Sequence, residues 1–97
     1  MWIGWLEFDI LLGDVHSLKE KRSVVRPIVA ELRRRFTVSA AETGSADLHR
    51  RAGIGMAAVA GERAHVVDIL DAAERLVAAR PEIELLSVRR GLSRSDD

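Results

Sequence analysis

An α+β fold is predicted by three features of this chain: a period-two alternation of apolar residues at the N-terminus, two later segments with helical apolar spacing, and short β-prone stretches between and after them. In chain order these read strand, helix, strand, strand, helix, strand, which is the ferredoxin-like βαββαβ pattern. Right-handed crossovers then place strands one and three at the centre of a four-stranded antiparallel sheet, with two helices on one face. The 97 residues suffice for one such core and not for two. A single domain is expected over residues 1–92, with a frayed C-terminal tail at 93–97.

From Trp2 to Leu12 one alternating set, Trp2, Gly4, Leu6, Phe8, Ile10 and Leu12, is apolar, while the other contains Glu7 and Asp9. That is a strand with one buried face. Gly13 and Asp14 break it. Ser17 and Glu20 then have capping-box spacing, so that the serine oxygen accepts the Glu20 amide and the glutamate reaches back to the Ser17 amide. In the helix that follows, Leu18, Val25, Ile28, Val29, Leu32 and Phe36 share one side at about 100° per residue. Pro27 lies inside this helix at a cost of about 3 kcal/mol, and a bend near Val24 is expected rather than two helices.

Thr37 to Glu42 reads as the second strand and Thr43 to Ala46 as a flexible connection. In the third strand, Arg51 to Ala60, Ile54, Met56 and Ala58 alternate with Gly53, Gly55 and Ala57. One of its faces is nearly free of side chains and suits close approach by a neighbour. A second helix runs from about Glu62 to Ala79 with Val66, Ile69, Leu70, Ala73, Leu76 and Val77 on its stripe, and Pro81 ends it. The last strand spans Glu82 to Arg90. There Ile83 and Leu85 are out of phase with Leu86 and Val88, which leaves the buried face open; a β-bulge is one solution.

Cysteine is absent, so disulfides, thiolate metal sites and cysteine catalysis are excluded. The apolar N-terminal run carries two acids and is far shorter than the roughly 20 residues of a spanning helix. A cytoplasmic location without a membrane segment is expected. His16 and His65 have no metal-ligand spacing, and no phosphate-loop, dinucleotide, nucleophile-elbow or zinc-protease motif occurs. Acylphosphatases share the architecture but hold phosphate with an arginine in the loop after strand one; here that loop is Gly13 to His16, with an acid and no arginine. Glu42, Asp47, His49, Arg50 and Arg51 read as a turn cap and ion pairs, with Glu42 on an arginine, rather than as a general-base site. Glu7 and Asp9 share the open sheet face and can pair with Arg51 across strands. A non-enzymatic role without cofactor or metal is the expectation.

The 15 basic and 15 acidic residues cancel, yet they are unevenly placed. His16 to Phe36 holds seven basic residues against two acidic ones, a net of +5 that the remainder balances. On the helical projection Lys19, Arg22, Arg26 and Arg33 fall within about 60° of one another, beside the apolar stripe. With Lys21 they form the candidate phosphate-binding set, and Arg34, Arg35, Arg89 and Arg90 extend it if the last strand lies alongside. Trp5 points to the open sheet face. Its counterparts on strand three are glycine and alanine, so the aromatic pair of an RNA-recognition-motif sheet is missing. Trp5, Gly53 and Gly55 are instead the candidate contact of a homodimer.

Ser17-Leu18-Lys19-Glu20-Lys21-Arg22 after an N-terminal strand, Arg33 to Phe36 with Val38 to Glu42, then Asp47-Leu48 and Arg51-Ala52 before a glycine-bearing strand, resemble the YlxP-like family of small bacterial ferredoxin-like proteins. The resemblance spans about nine-tenths of the chain. His49 and Arg50 stand where that family commonly has an aromatic residue and a glutamine. The genes of the family often neighbour those of transcription-termination, translation-initiation and ribosome-binding factors, which implies RNA or the small ribosomal subunit as a partner.

Overall fold

The alternation of β1 (Trp2–Leu12) sets the position of every other element. Leu6, Phe8, Ile10 and Leu12 are at most 1% exposed, while Trp5 and Glu7 between them face solvent. The structure, a computed structural model, describes residues 1–44 and 48–97. In it β1 runs antiparallel between β3 (Arg51–Ala60) and β4 (Ile83–Arg94), and β2 (Ser39–Gly44) pairs with the outer side of β3. The sheet order β2-β3-β1-β4 and the element order βαββαβ are those of the predicted ferredoxin-like α+β fold.

Helices α1 (Leu18–Arg35) and α2 (Arg63–Ala78) supply Val25, Ile28, Val29 and Leu32, and Val66, Leu70, Ala73 and Val77, to the core beside Ile54 and Met56 of β3. Leu18, predicted for the buried stripe, is 38% exposed at the first residue of α1. At Gly4 an added Cβ would lie 2.4 Å from Val66 Cγ1 and 3.0 Å from Leu70 Cδ1. Helix α2 therefore rests directly on the backbone of β1.

The cap of α1 differs by one residue from the predicted box. The Glu20 amide donates to Ser17 Oγ at 3.1 Å, but the Glu20 carboxylate accepts from the amide of His16, at 3.2 Å, rather than from Ser17. The helix runs unbroken through Pro27. Strand β2 begins two residues later than Thr37, since Phe36 to Val38 are needed for the turn: the Phe36 amide bonds the Leu32 carbonyl and the Val38 amide the Phe36 carbonyl. It also takes in Thr43 and Gly44, which were expected in the connection; Ser45, Ala46 and Asp47 lie outside the described residues.

In β4 the register shifts between Asp9, opposite Ser87, and Ile10, opposite Leu85. Leu86 is the extra residue, and the bulge brings Ile83, Leu85 and Val88 into one phase. The strand continues past Arg90 to Arg94, with Ser93 opposite Ile3 and Arg94 opposite Trp2. Fraying is therefore not at Ser93: the first residues of β1 need a partner on that side, and β4 provides it. Arg63 and Arg94 lie over the Trp2 ring at 5.9 and 5.7 Å.

The Gly4 contact yields a direct test. Gly4→Val should lower stability by about 2 kcal/mol, as overpacking against a helix does, with a lower urea midpoint and an unchanged slope. A midpoint equal to that of the wild type would show that α2 can move off β1 freely.

Candidate functional site

Three cations stand out on α1. Lys19, Arg22 and Arg26 are exposed, and among the described residues none has an acidic partner within ion-pair distance. The acids nearest in sequence are engaged elsewhere: Glu20 accepts from the His16 amide, and Glu31 pairs with Arg34 at 3.3 Å and Arg80 at 2.9 Å. Helical rise spaces the three along the axis by about 4.5 and 6 Å, one charge per turn. With Ser23 and Pro27 they line one shallow concavity.

Two members of the predicted set belong to the fold instead. Lys21 is 2% exposed; its ammonium donates to the Leu48 carbonyl at 2.9 Å and lies 3.3 Å from Glu42 Oε1. It cannot reach a phosphate in solution. Glu42 is thus paired with this lysine and not with an arginine. Arg33 remains exposed, but its guanidinium donates to the carbonyl of Ala40 and so ties α1 to the edge strand β2. Arg35 is exposed but lies about 140° or more around the helix from the row. Arg34, Arg89 and Arg90 do not extend it either. They pair with Glu31, with Glu7 on the open sheet face, and with Asp71 and Glu74 of α2.

On the open face Trp5 is 37% exposed and lies across β4, so close that a Cβ at Gly91 would fall 2.1 Å from its ring. Gly91 is what lets the indole lie there. Gly55 is overlain by Thr43, whose Cγ2 would be 2.7 Å from an added Cβ, and Gly53 faces the backbone of Gly44. Trp5 and Gly55 still share one open apolar groove, with Ser39, Ala41 and Ala57. Gly53 lies in a neighbouring polar hollow with Glu7, Asp9, Arg51 and Arg89. There Arg51 makes two bonds to the Asp9 carboxylate, while Glu7 pairs with Arg89, 3.6 Å away, rather than with Arg51.

The acid-base cluster of the middle connection disperses. Glu42 meets Lys21, Arg50 donates to the Gly13 carbonyl at 3.0 Å, Arg51 meets Asp9, and His49 is exposed; Asp47 lies outside the described residues. His16 pairs with Asp14, both exposed. Among the described residues no three acids or histidines are grouped to hold a metal ion, and no helix is long and apolar enough to cross a membrane.

Arg80, just beyond α2, carried no signal in the sequence, because two of its three partners, Glu31 and the Pro27 carbonyl, are distant along the chain. It bonds Glu31, Glu82 and, at 3.4 Å, the carbonyl of Pro27. Burial opposes its charge, and the hydrogen bonds and attraction of the two carboxylates outweigh that, so its pKa is raised above the ordinary arginine value.

These features define a ferredoxin-like α+β domain with an open sheet face and a cationic row on its first helix. The chain belongs to the family described as Protein of unknown function (DUF503), whose model matches residues 3–90. It is 35% identical over 82 residues to Uncharacterized protein YlxP of Bacillus subtilis (strain 168), a match that covers 84% of this chain and 89% of that protein. The resemblance read from the Ser17 to Arg22 segment is therefore a true family relation.

The structural assignment of Lys21 can be measured. Lys21→Ala should cost about 2 kcal/mol, less than for a fully buried pair because Glu42 keeps some solvent contact, whereas Lys21→Met, which preserves most of the packing, should cost less. Equal urea midpoints for the wild type and Lys21→Ala would return Lys21 to the solvent-facing set.

Proposed function

We propose that this protein is a non-enzymatic, RNA- or ribosome-associated binding protein that engages phosphates through Lys19, Arg22 and Arg26. The observation that carries this reading is that these three cations, adjacent on one face of α1, have no acidic partner among the described residues, whereas Arg34, Arg51, Arg80, Arg89, Arg90 and Arg94 are each paired with an acid; Arg35 and Arg75 also lack one but lie outside the row. Unpaired charges in a row offer several phosphates a low-cost exchange of counterions for protein contacts. A row along one exposed helix, with the other helix face buried, also leaves the fold undisturbed on binding.

Arg22→Glu/Arg26→Glu should weaken binding to single-stranded RNA more than about tenfold at low salt. The slope of log affinity against log salt should fall by about 1.4, the contribution of two phosphate contacts. Both side chains are exposed, so the variant should keep the circular dichroism of the wild type. Affinity and slope that match the wild type would refute the assignment.

A second reading is supported by the groove beside Trp5, where an exposed indole borders Ser39, Ala41, Gly55 and Ala57. In this reading a second copy of the chain covers the open sheet face. Light scattering should then report a dimer that Trp5→Glu converts to monomer. A wild-type monomer at high concentration would remove the idea.

A further inference from the structure

Pro27 is the costliest local choice in α1, and nothing in the core requires it: its side chain is exposed and lines the same concavity as Lys19, Arg22, Ser23 and Arg26. Proline has no N–H. The carbonyl of Ser23, four residues earlier, therefore cannot receive the helical hydrogen bond that any other residue at 27 would give it. Lys19, Ser23 and Pro27 form one i, i+4 row on the helix, and Arg22 and Arg26 form the adjacent one. A backbone acceptor without its regular donor thus lies within one turn of three unpaired cations. The Ser23 hydroxyl does not fill that role, since it donates to the Glu20 carbonyl at 2.6 Å.

A simple anion satisfies the cations but is repelled by the carbonyl oxygen. A ligand that alternates anions with hydroxyl donors satisfies both. We propose that the row recognises the ribose-phosphate backbone and prefers RNA to DNA, the Ser23 carbonyl accepting a 2′-hydroxyl while Lys19, Arg22 and Arg26 hold the flanking phosphates. The 2′-hydroxyl is the group by which a protein distinguishes the two nucleic acids at a given site. No aromatic side chain lines the concavity, so base stacking has no platform there and sugar and phosphate carry the recognition. The inference rests on the phosphate-binding reading above and adds to it the choice of sugar.

The test is fluorescence anisotropy on the full chain with one mixed sequence made as RNA, as DNA and as 2′-O-methyl RNA. RNA should bind about fivefold tighter than the other two, the value of one neutral hydrogen bond. Pro27→Ala, which restores the N–H to the Ser23 carbonyl, should bring RNA to the level of DNA and leave the salt slope unchanged. Equal binding of RNA and DNA by the wild type overturns the inference and leaves the phosphate reading standing. So does a preference that survives 2′-O-methylation or Pro27→Ala. Failure of the wild type to bind any of the three probes overturns both.

Discussion

Because side chains alternate along a strand, the phase of β1 decides at one stroke what meets the helices and what meets solvent. Leu6, Phe8, Ile10 and Leu12 lie inward and are covered by α1 and α2; Trp5, Glu7 and Asp9 lie outward. The strand is paired on both edges, so its phase is imposed on β3 and β4 as well. A bulge at Leu86 is the local adjustment that lets β4 obey it over a length that its own sequence would otherwise split into two phases. At Gly4 the same strand gives up a side chain so that α2 can reach its backbone.

That arrangement also decides where charge is consumed. The outward face of β1 presents Glu7 and Asp9 to Arg89 and Arg51, and α2 presents Asp71 and Glu74 to Arg90. At the far end of the helix layer, Glu31 and Glu82 hold Arg80. Acids that could neutralise the first half of α1 are therefore spent on strands and on Arg80 beyond α2. A chain of zero net charge thereby keeps a positive row without ion-pair partners among the described residues, a property of the fold rather than of composition.

Much of this was legible beforehand, and the exceptions have identifiable physical causes. Periodicity specified β1, β3 and both helices because each buries a single face, while the phase conflict in β4 admitted a bulge as one solution and the pairing with β1 selects it. Lys21 was legible from α1 alone: the projection that groups Lys19, Arg22 and Arg26 places it about 100° to 160° from them, within the apolar stripe, where a lysine must find buried acceptors. Its partners, Leu48 and Glu42, come from beyond α1, so only the projection could have flagged it. Arg33, by contrast, was illegible. Its position beside the seam is right for an exposed cation, and only the turn into β2 brings the Ala40 carbonyl within reach. The same holds for Trp5, whose resting place depends on Gly91, a residue 86 positions away that acquires meaning only once β4 lies beside β1.

What distinguishes the cationic row from an ordinary solvated face is that the local choices there oppose folding. Lys19 and Arg22, at i, i+3, and Arg22 and Arg26, at i, i+4, are like-charge pairs that destabilise an isolated helix by a few tenths of a kcal/mol each. Pro27 adds a lost hydrogen bond and a steric conflict with the preceding turn. The capping of α1 by Ser17, its buried stripe, and the tie from Arg80 to Glu31 and the Pro27 carbonyl hold the helix together despite them. Where local and global preferences part company on one exposed face, with the cost carried by the rest of the structure, selection for something other than stability is the economical account.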